Sequence, residues 1–172
     1  MFIVALWQRI NDIAKIFLPT ATAVLFALMS VIPWPLPYFG PIAPSLALIA
    51  VYYWAVHRPD LFSPGVVFLV GIFNDAVNDL PFGASALIFV AAHQLVLSQR
   101  RLFVRQSFFM LWFGFALTMF CASIGQWGVI SIYGWQAQPV LPVFLQCLLT
   151  IAIFPLPAWV LIRIQRTFIT NS

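Results

Sequence analysis

The sequence predicts an all-α membrane protein with six transmembrane helices and both termini in the cytoplasm. Three observations carry this expectation. The 172 residues are 63% hydrophobic and 7% charged, with a mean hydropathy of +1.02, more apolar surface than a soluble domain of this length can hide. Six stretches approach the roughly 20 apolar residues that a helix needs to cross a bilayer core. All eight Lys and Arg fall in alternate connections between those stretches, and the positive-inside rule assigns such connections to the cytoplasm.

Residues 1–16 read as a unit ahead of a single transmembrane domain over 17–172. Gln8, Arg9, Asn11, Asp12 and Lys15 share one side of a helical wheel, and Phe2, Ile3, Leu6, Ile10, Ile13 and Phe17 take the other. That pattern predicts an amphipathic helix lying on the inner membrane surface, as an anchor or as a docking helix for a cytoplasmic partner. No cleavage site of the Ala-x-Ala type follows a short apolar core, so the first hydrophobic segment is expected to be retained.

The six segments fall at about 17–36, 41–56, 64–80, 83–98, 106–130 and 139–162. Arg9 and Lys15 precede the first, and the uncharged, Pro-rich run Trp34-Pro35-Leu36-Pro37-Tyr38-Phe39-Gly40 follows it. The second is short and aromatic and ends at His57-Arg58-Pro59-Asp60, an inner loop with a local charge pair. Ser63-Pro64 opens the third, a Ser cap followed by Pro at the first helical position. Only Leu80-Pro81-Phe82 separates the third from the fourth, as a hairpin or a re-entrant pair. Arg100, Arg101 and Arg105 fill the next connection, 131–138 is uncharged, and Arg163 and Arg166 close the chain. Small neutral outer loops place the protein's work within the membrane or at its faces.

The third segment holds two of the four acidic residues, Asp75 and Asp79, beside Asn74 and Asn78. Polar groups at membrane depth are costly and usually face protein or a cavity. At 1.5 Å per residue from Pro64, Asp75 lies about 16 Å deep and Asp79 about 22 Å. At 100° per residue Gly71, Asn74, Asp75 and Asn78 share one face, with Asp79 at its flank. Gly71 admits a close helix neighbour, and Asn side chains bond across such a seam. Asp75 is expected to stay protonated or to accept hydrogen bonds, and Asp79 to cap the turn that Pro81 and Gly83 open. Three roles fit: a packing seam, a site for a small ligand or partner helix, and proton-linked chemistry. The last lacks a second carboxylate, because Asp12 and Asp60 are both on the cytoplasmic side.

Elsewhere, His57 and His93 read as interface residues, and Gln126 and Gln146 as bonds between helices. Cys121 and Cys147 read as packing residues rather than a disulfide. No catalytic set, phosphate loop or metal spacing is visible, so no catalytic residue, cofactor or metal is expected. The dispersed basic residues, net +4, mark topology and not nucleic-acid binding.

The run Phe68-Leu69-Val70-Gly71-Ile72-Phe73-Asn74-Asp75 leading to Leu80-Pro81-Phe82-Gly83-Ala84-Ser85-Ala86-Leu87, behind a Pro-rich first outer loop and His57-Arg58-Pro59, resembles the MreD family of bacterial rod shape-determining proteins. Gly71, Asp75, Pro81 and Gly83 carry the motif; Asn78-Asp79 stands where many relatives have a small Ser/Gly pair. The layout matches over nearly the whole chain, the motif only over 57–90. The resemblance implies a non-enzymatic inner-membrane component of the cell-wall elongation complex that supports peptidoglycan synthesis and rod shape. Its implied partner is MreC, and through it MreB, RodA and a penicillin-binding transpeptidase. It also implies a fold like the substrate-binding subunits of energy-coupling-factor transporters. Hence the rival expectation is a membrane subunit that captures a vitamin-type molecule, with Tyr38, Ser131, Tyr133, Trp135, Gln136 and Gln138 as its outer-loop polar groups.

Overall fold

The computed structural model describes residues 17–32, 34–36, 40–103, 107–135 and 139–168. The amphipathic unit over 1–16 lies outside them, as do Tyr38, Arg105, Gln136 and Gln138. The described residues are all-α, with seven helices: α1 Phe17–Met29, α2 Leu46–His57, α3 Pro64–Val77, α4 Ala84–Phe103, α5 Phe108–Tyr133, α6 Val140–Ile153 and α7 Pro155–Phe168. Two three-residue antiparallel strands, β1 Trp34–Leu36 and β2 Gly40–Ile42, form a small hairpin between α1 and α2. No strand is expected there from residue pattern, because prolines interrupt the run that pairs, Pro35 opposite Pro41.

Each apolar segment contains a helix, but six crossings are not what the helix lengths support. By length and composition, among the described residues α5 alone can cross a bilayer core, and α6 with α7 forms a second candidate bent by 46°. The count is one or two. Helix α2, with 12 residues, and α3, with 14, rise about 18 and 21 Å, short of a core about 30 Å thick. The first segment stops being helical at Ser30 rather than at 36, and α4 has 20 residues but ends in Ser98-Gln99-Arg100-Arg101.

The sixth segment breaks at Phe154 because Pro155 cannot continue the helix ladder. Pro155 has no N–H to offer the carbonyl of Ile151, four residues back. The Trp112 indole Nε1–H of α5 donates to that oxygen at 2.9 Å, so the break carries no orphaned acceptor there.

Helix α2 is the centre of the bundle. Every residue from Leu46 to Val56 is buried, as expected of a helix apolar all round. Tyr52, Tyr53 and Trp54 follow one another at 100° per residue and so reach three different neighbours. The Tyr52 hydroxyl donates to Leu111 O of α5 at 2.9 Å, Tyr53 to Gln165 Oε1 of α7 at 2.6 Å, and the Trp54 indole to Thr22 Oγ1 of α1 at 2.9 Å. Each ring brings apolar area into the core while its polar atom is paired. Phe115 and Phe154 stack beside Tyr52 with centroids 4.3 Å apart.

The outer surface is unlike that of a soluble bundle. Leu25, Phe68, Leu69, Leu87, Phe109, Phe113, Phe120, Ile124, Phe144, Leu156 and Trp159 are all exposed. They come from six of the seven helices, well beyond the scattered apolar residues of an ordinary surface.

Candidate functional site

The turn between α3 and α4 is built around one carboxylate. Helix α3 ends with Asn78 as its cap and Asp79 in the left-handed region at φ +53°, where Asp is tolerated better than most residues. The Leu80 N–H then reaches back to Asp75 O at 3.0 Å, closing the last turn. The side chain of Asp75 does the opposite task. Oδ2 accepts the Gly83 N–H at 2.9 Å and Oδ1 the Ser85 N–H at 2.9 Å. Gly83 is the residue before α4, its carbonyl taking the Leu87 N–H at 3.0 Å, and it has no side chain with which to cap. Asp75, fully buried, supplies the missing cap from the preceding helix, and a carboxylate also suits the positive end of the α4 dipole.

Gly71 and Gly83 are needed here for different reasons. A Cβ on Gly71 would lie 2.3 Å from Ala86 Cα and 2.7 Å from Ala86 N, so α3 and α4 meet backbone to backbone. Gly83 has open space around it but φ +96°, a conformation that strains any L side chain. Pro81 accepts the Ala84 N–H at 3.0 Å within the turn. Gly71, Asp75, Pro81 and Gly83 thus form one lock between two helices. Asp79 is exposed and lies outside it.

Above the lock runs a polar seam. Asn74 Nδ2 donates to Ser85 Oγ at 3.0 Å, and Asn78 Nδ2 donates to Asn74 O and Oδ1 at 2.9 and 3.2 Å. The seam forms one wall of a cavity of about 250 Å³. The other walls come from Ser30 at the end of α1, Ala43–Ser45 ahead of α2, Phe89 of α4, Ser123, Gln126, Trp127 and Ile130 of α5, and Val143 and Gln146 of α6. At its base the α2 N-terminus is satisfied by neighbours. Leu46 N–H donates to Ser30 Oγ at 3.1 Å and Ser45 N–H to Thr150 Oγ1 at 3.1 Å. Gln146 Nε2 donates to Ala43 O at 2.9 Å. No lining residue carries a formal charge.

The described basic residues collect at the other end of the helices. Arg100 Nε donates to Val56 O at 2.9 Å, a cation on the final carbonyls of α2. Arg58 pairs with Asp60 at 3.2 Å on the surface, and Arg163 lies 5.4 Å from the Trp159 ring centroid. His57 stacks on Tyr53 and, since a carbonyl only accepts, donates its Nδ1–H to Tyr53 O at 3.0 Å. Burial lowers its pKa most, the Arg100 charge lowers it further, and the Tyr53 bond opposes both. His93 is buried and donates Nε2–H to Phe62 O at 3.0 Å, which fixes the loop before α3.

The structure brings Asn74, Asn78, Gln126 and Gln146 to one cavity and separates Asp79, Tyr133 and Trp135, all exposed, from it. Cys147 is buried, but Cys121 is exposed and is no packing residue of the core. Sequence reasoning passed over Ser30, Thr150 and Trp112, whose bonds depend on which helices are neighbours. The one local signal was Pro155 inside an apolar run, which announces an unpaired carbonyl four residues earlier.

Chemically the site offers neutral donors and acceptors and a carboxylate already spent on backbone. Among the described residues no group of three His, Cys, Asp or Glu is placed to hold a metal ion. Comparison of the chain with family models, with curated proteins and with solved structures gave no match.

Proposed function

We propose that this chain is a non-enzymatic membrane scaffold of the bacterial cell-wall elongation machinery, similar to MreD and acting through association with MreC. The observation that carries the reading is the use of Asp75. A carboxylate within an apolar segment usually serves transport, catalysis or assembly, and here both oxygens are committed to backbone N–H groups of the next helix. The four residues that carry the family resemblance meet in that one lock, so the motif has a structural meaning and leaves no free acid for chemistry. The broad apolar surface supports a bundle embedded in the inner membrane. The Arg-rich end of α2, α4 and α7 supports a cytoplasmic face for that end, with both termini on the same side and the polar cavity toward the outside. Such a protein would reach MreB, RodA and a penicillin-binding transpeptidase through MreC.

A second reading, a membrane subunit that captures a small molecule from outside, is favoured by the cavity itself. Co-purification of the tagged protein from native membranes in mild detergent, with partners identified by mass spectrometry, separates the two. Recovery of MreC and the elongation synthases supports the scaffold. Recovery of ATP-binding subunits with a coupling membrane protein, and no MreC, replaces it with the transporter reading.

A further inference from the structure

Beside the polar cavity lies a groove of about 430 Å³ whose exposed surface is wholly apolar. The two share the wall made by Ser123, Trp127 and Val143. The groove's outer rim is Phe120 and Ile124 of α5 and Val140 and Phe144 of α6, each about half exposed or more. A hydrocarbon-lined cleft on an apolar protein face therefore lies against a chamber with polar walls, with Ser123, Trp127 and Val143 between them.

The chamber has specific capacity left over. Asn78 uses its amide N–H groups on Asn74, and its Oδ1 has no protein partner among the described residues. Gln146 donates to Ala43 O and keeps Oε1. Gln126, partly exposed and lining the chamber, has neither amide group bonded to a described residue. Three amides with spare hydrogen-bonding atoms, and no formal charge to balance, suit an occupant that is polar yet neutral. A charged group brought to this depth would leave water without a counter-ion, at high cost. A volume of about 250 Å³ admits several waters, which fits one sugar-sized head and not a large one.

We propose that cavity and groove form one site for a lipid with an uncharged, hydrogen-bonding head, the head among Asn78, Gln126 and Gln146 and a hydrocarbon chain along α5 and α6. Neither half alone explains the pair. A water-soluble ligand would have no use for the groove, and a plain hydrocarbon chain would leave the amides unsatisfied. This goes beyond the scaffold reading and does not depend on which partners the bundle recruits.

The test is reconstitution in vesicles of equal parts monoglucosyl diacylglycerol, phosphatidylethanolamine and phosphatidylglycerol. Extraction in a detergent without a sugar head and native mass spectrometry then count the retained lipids. The glucolipid should be retained about tenfold over phosphatidylglycerol. Gln126→Leu should lower that retention about five- to tenfold, the effect of a neutral hydrogen bond or two, with the thermal midpoint unchanged. Ile124→Trp, on the exposed rim, should lower it by filling the groove, and Leu69→Trp, exposed on α3 and lining neither cavity nor groove, should not. Equal retention of anionic and neutral lipids overturns the proposal, as does retention that neither Gln126→Leu nor Ile124→Trp alters. Competition by methyl glucoside as effective as by the glucolipid also overturns it, in favour of a soluble ligand.

Discussion

Asp75 Oδ1 accepts the Ser85 backbone N–H at 2.9 Å, so a side chain two residues from the end of one helix caps the start of the next. The same residue's carbonyl takes the Leu80 N–H, and α3 cannot end correctly without positioning the group that begins α4. Asp75→Ala should strand the Gly83 and Ser85 N–H groups at a buried site, each costing about 1–3 kcal/mol. Thermal unfolding in detergent should show a large drop in midpoint and folded yield. Asp75→Asn, which keeps an acceptor, should fall between. Asp79→Ala should be mild, because Asp79 is exposed and makes none of these bonds. Asp79→Gly should be neutral or stabilising by up to about 1 kcal/mol, since φ +53° suits glycine. Equal loss on Asp75→Ala and Asp79→Ala would refute the capping role.

Gly71→Ala tests the contact beneath that turn. The added methyl would meet Ala86 backbone atoms at 2.3 and 2.7 Å, and backbone cannot swing aside as a flexible side chain can. The helices must separate, carrying the Asp75 cap with them, at a cost at or above the about 1–3 kcal/mol of ordinary overpacking. Because the clash is with Cα and N, Ala86→Gly should not rescue the fold. A full rescue would mean that only the Ala86 side chain is in the way.

These two positions also show what could be read from the chain alone. Gly71, Asp75, Pro81 and Gly83 stand close enough in sequence for their grouping to be visible, and helical periodicity places Asn74 and Asn78 beside them. Which Asp75 atoms bond to what was not visible, because a carboxylate capping a following helix needs the turn's geometry. The segment count failed for a physical reason. Hydropathy sums apolar residues without asking where a helix stops. Ser30 and the β hairpin shorten the first segment, and Pro155 divides the last. The cavity was half legible: Gln126 and Gln146 stood out as polar residues in apolar helices, whereas Ser30 and Ser45 reach it only through the packing of α1 and α2.

His57 gives a prediction in pH. Burial, the largest cause, and Arg100 hold its pKa below the ordinary histidine value of 6.5 despite the bond to Tyr53 O. The unfolded chain therefore binds a proton more readily than the folded one, and stability rises with pH between the two values. The contribution is complete above about 6.5 and is lost as pH falls below it toward the folded value. Thermal midpoints in detergent should decline from pH 7 to 5, and His57→Gln should flatten that decline. An unchanged slope in the variant would assign the pH dependence elsewhere.

The bend at Phe154 supplies a coupling test. Pro155 removes the N–H that Ile151 O would have used, and Trp112 Nε1–H fills the vacancy at 2.9 Å. Trp112→Phe keeps the aromatic bulk but leaves that carbonyl unpaired, for a loss of about 1–3 kcal/mol. Pro155→Ala restores a backbone donor at the position four residues on, so the same Trp112→Phe change made in that background should cost much less. The difference between the two costs is a pairwise coupling of at least about 0.5 kcal/mol, measurable by a double-mutant cycle on thermal or denaturant unfolding. Additivity of the two substitutions would show that the indole serves only as packing, and that the 46° bend is held by the fit of Phe154 against Phe115 and Tyr52 instead.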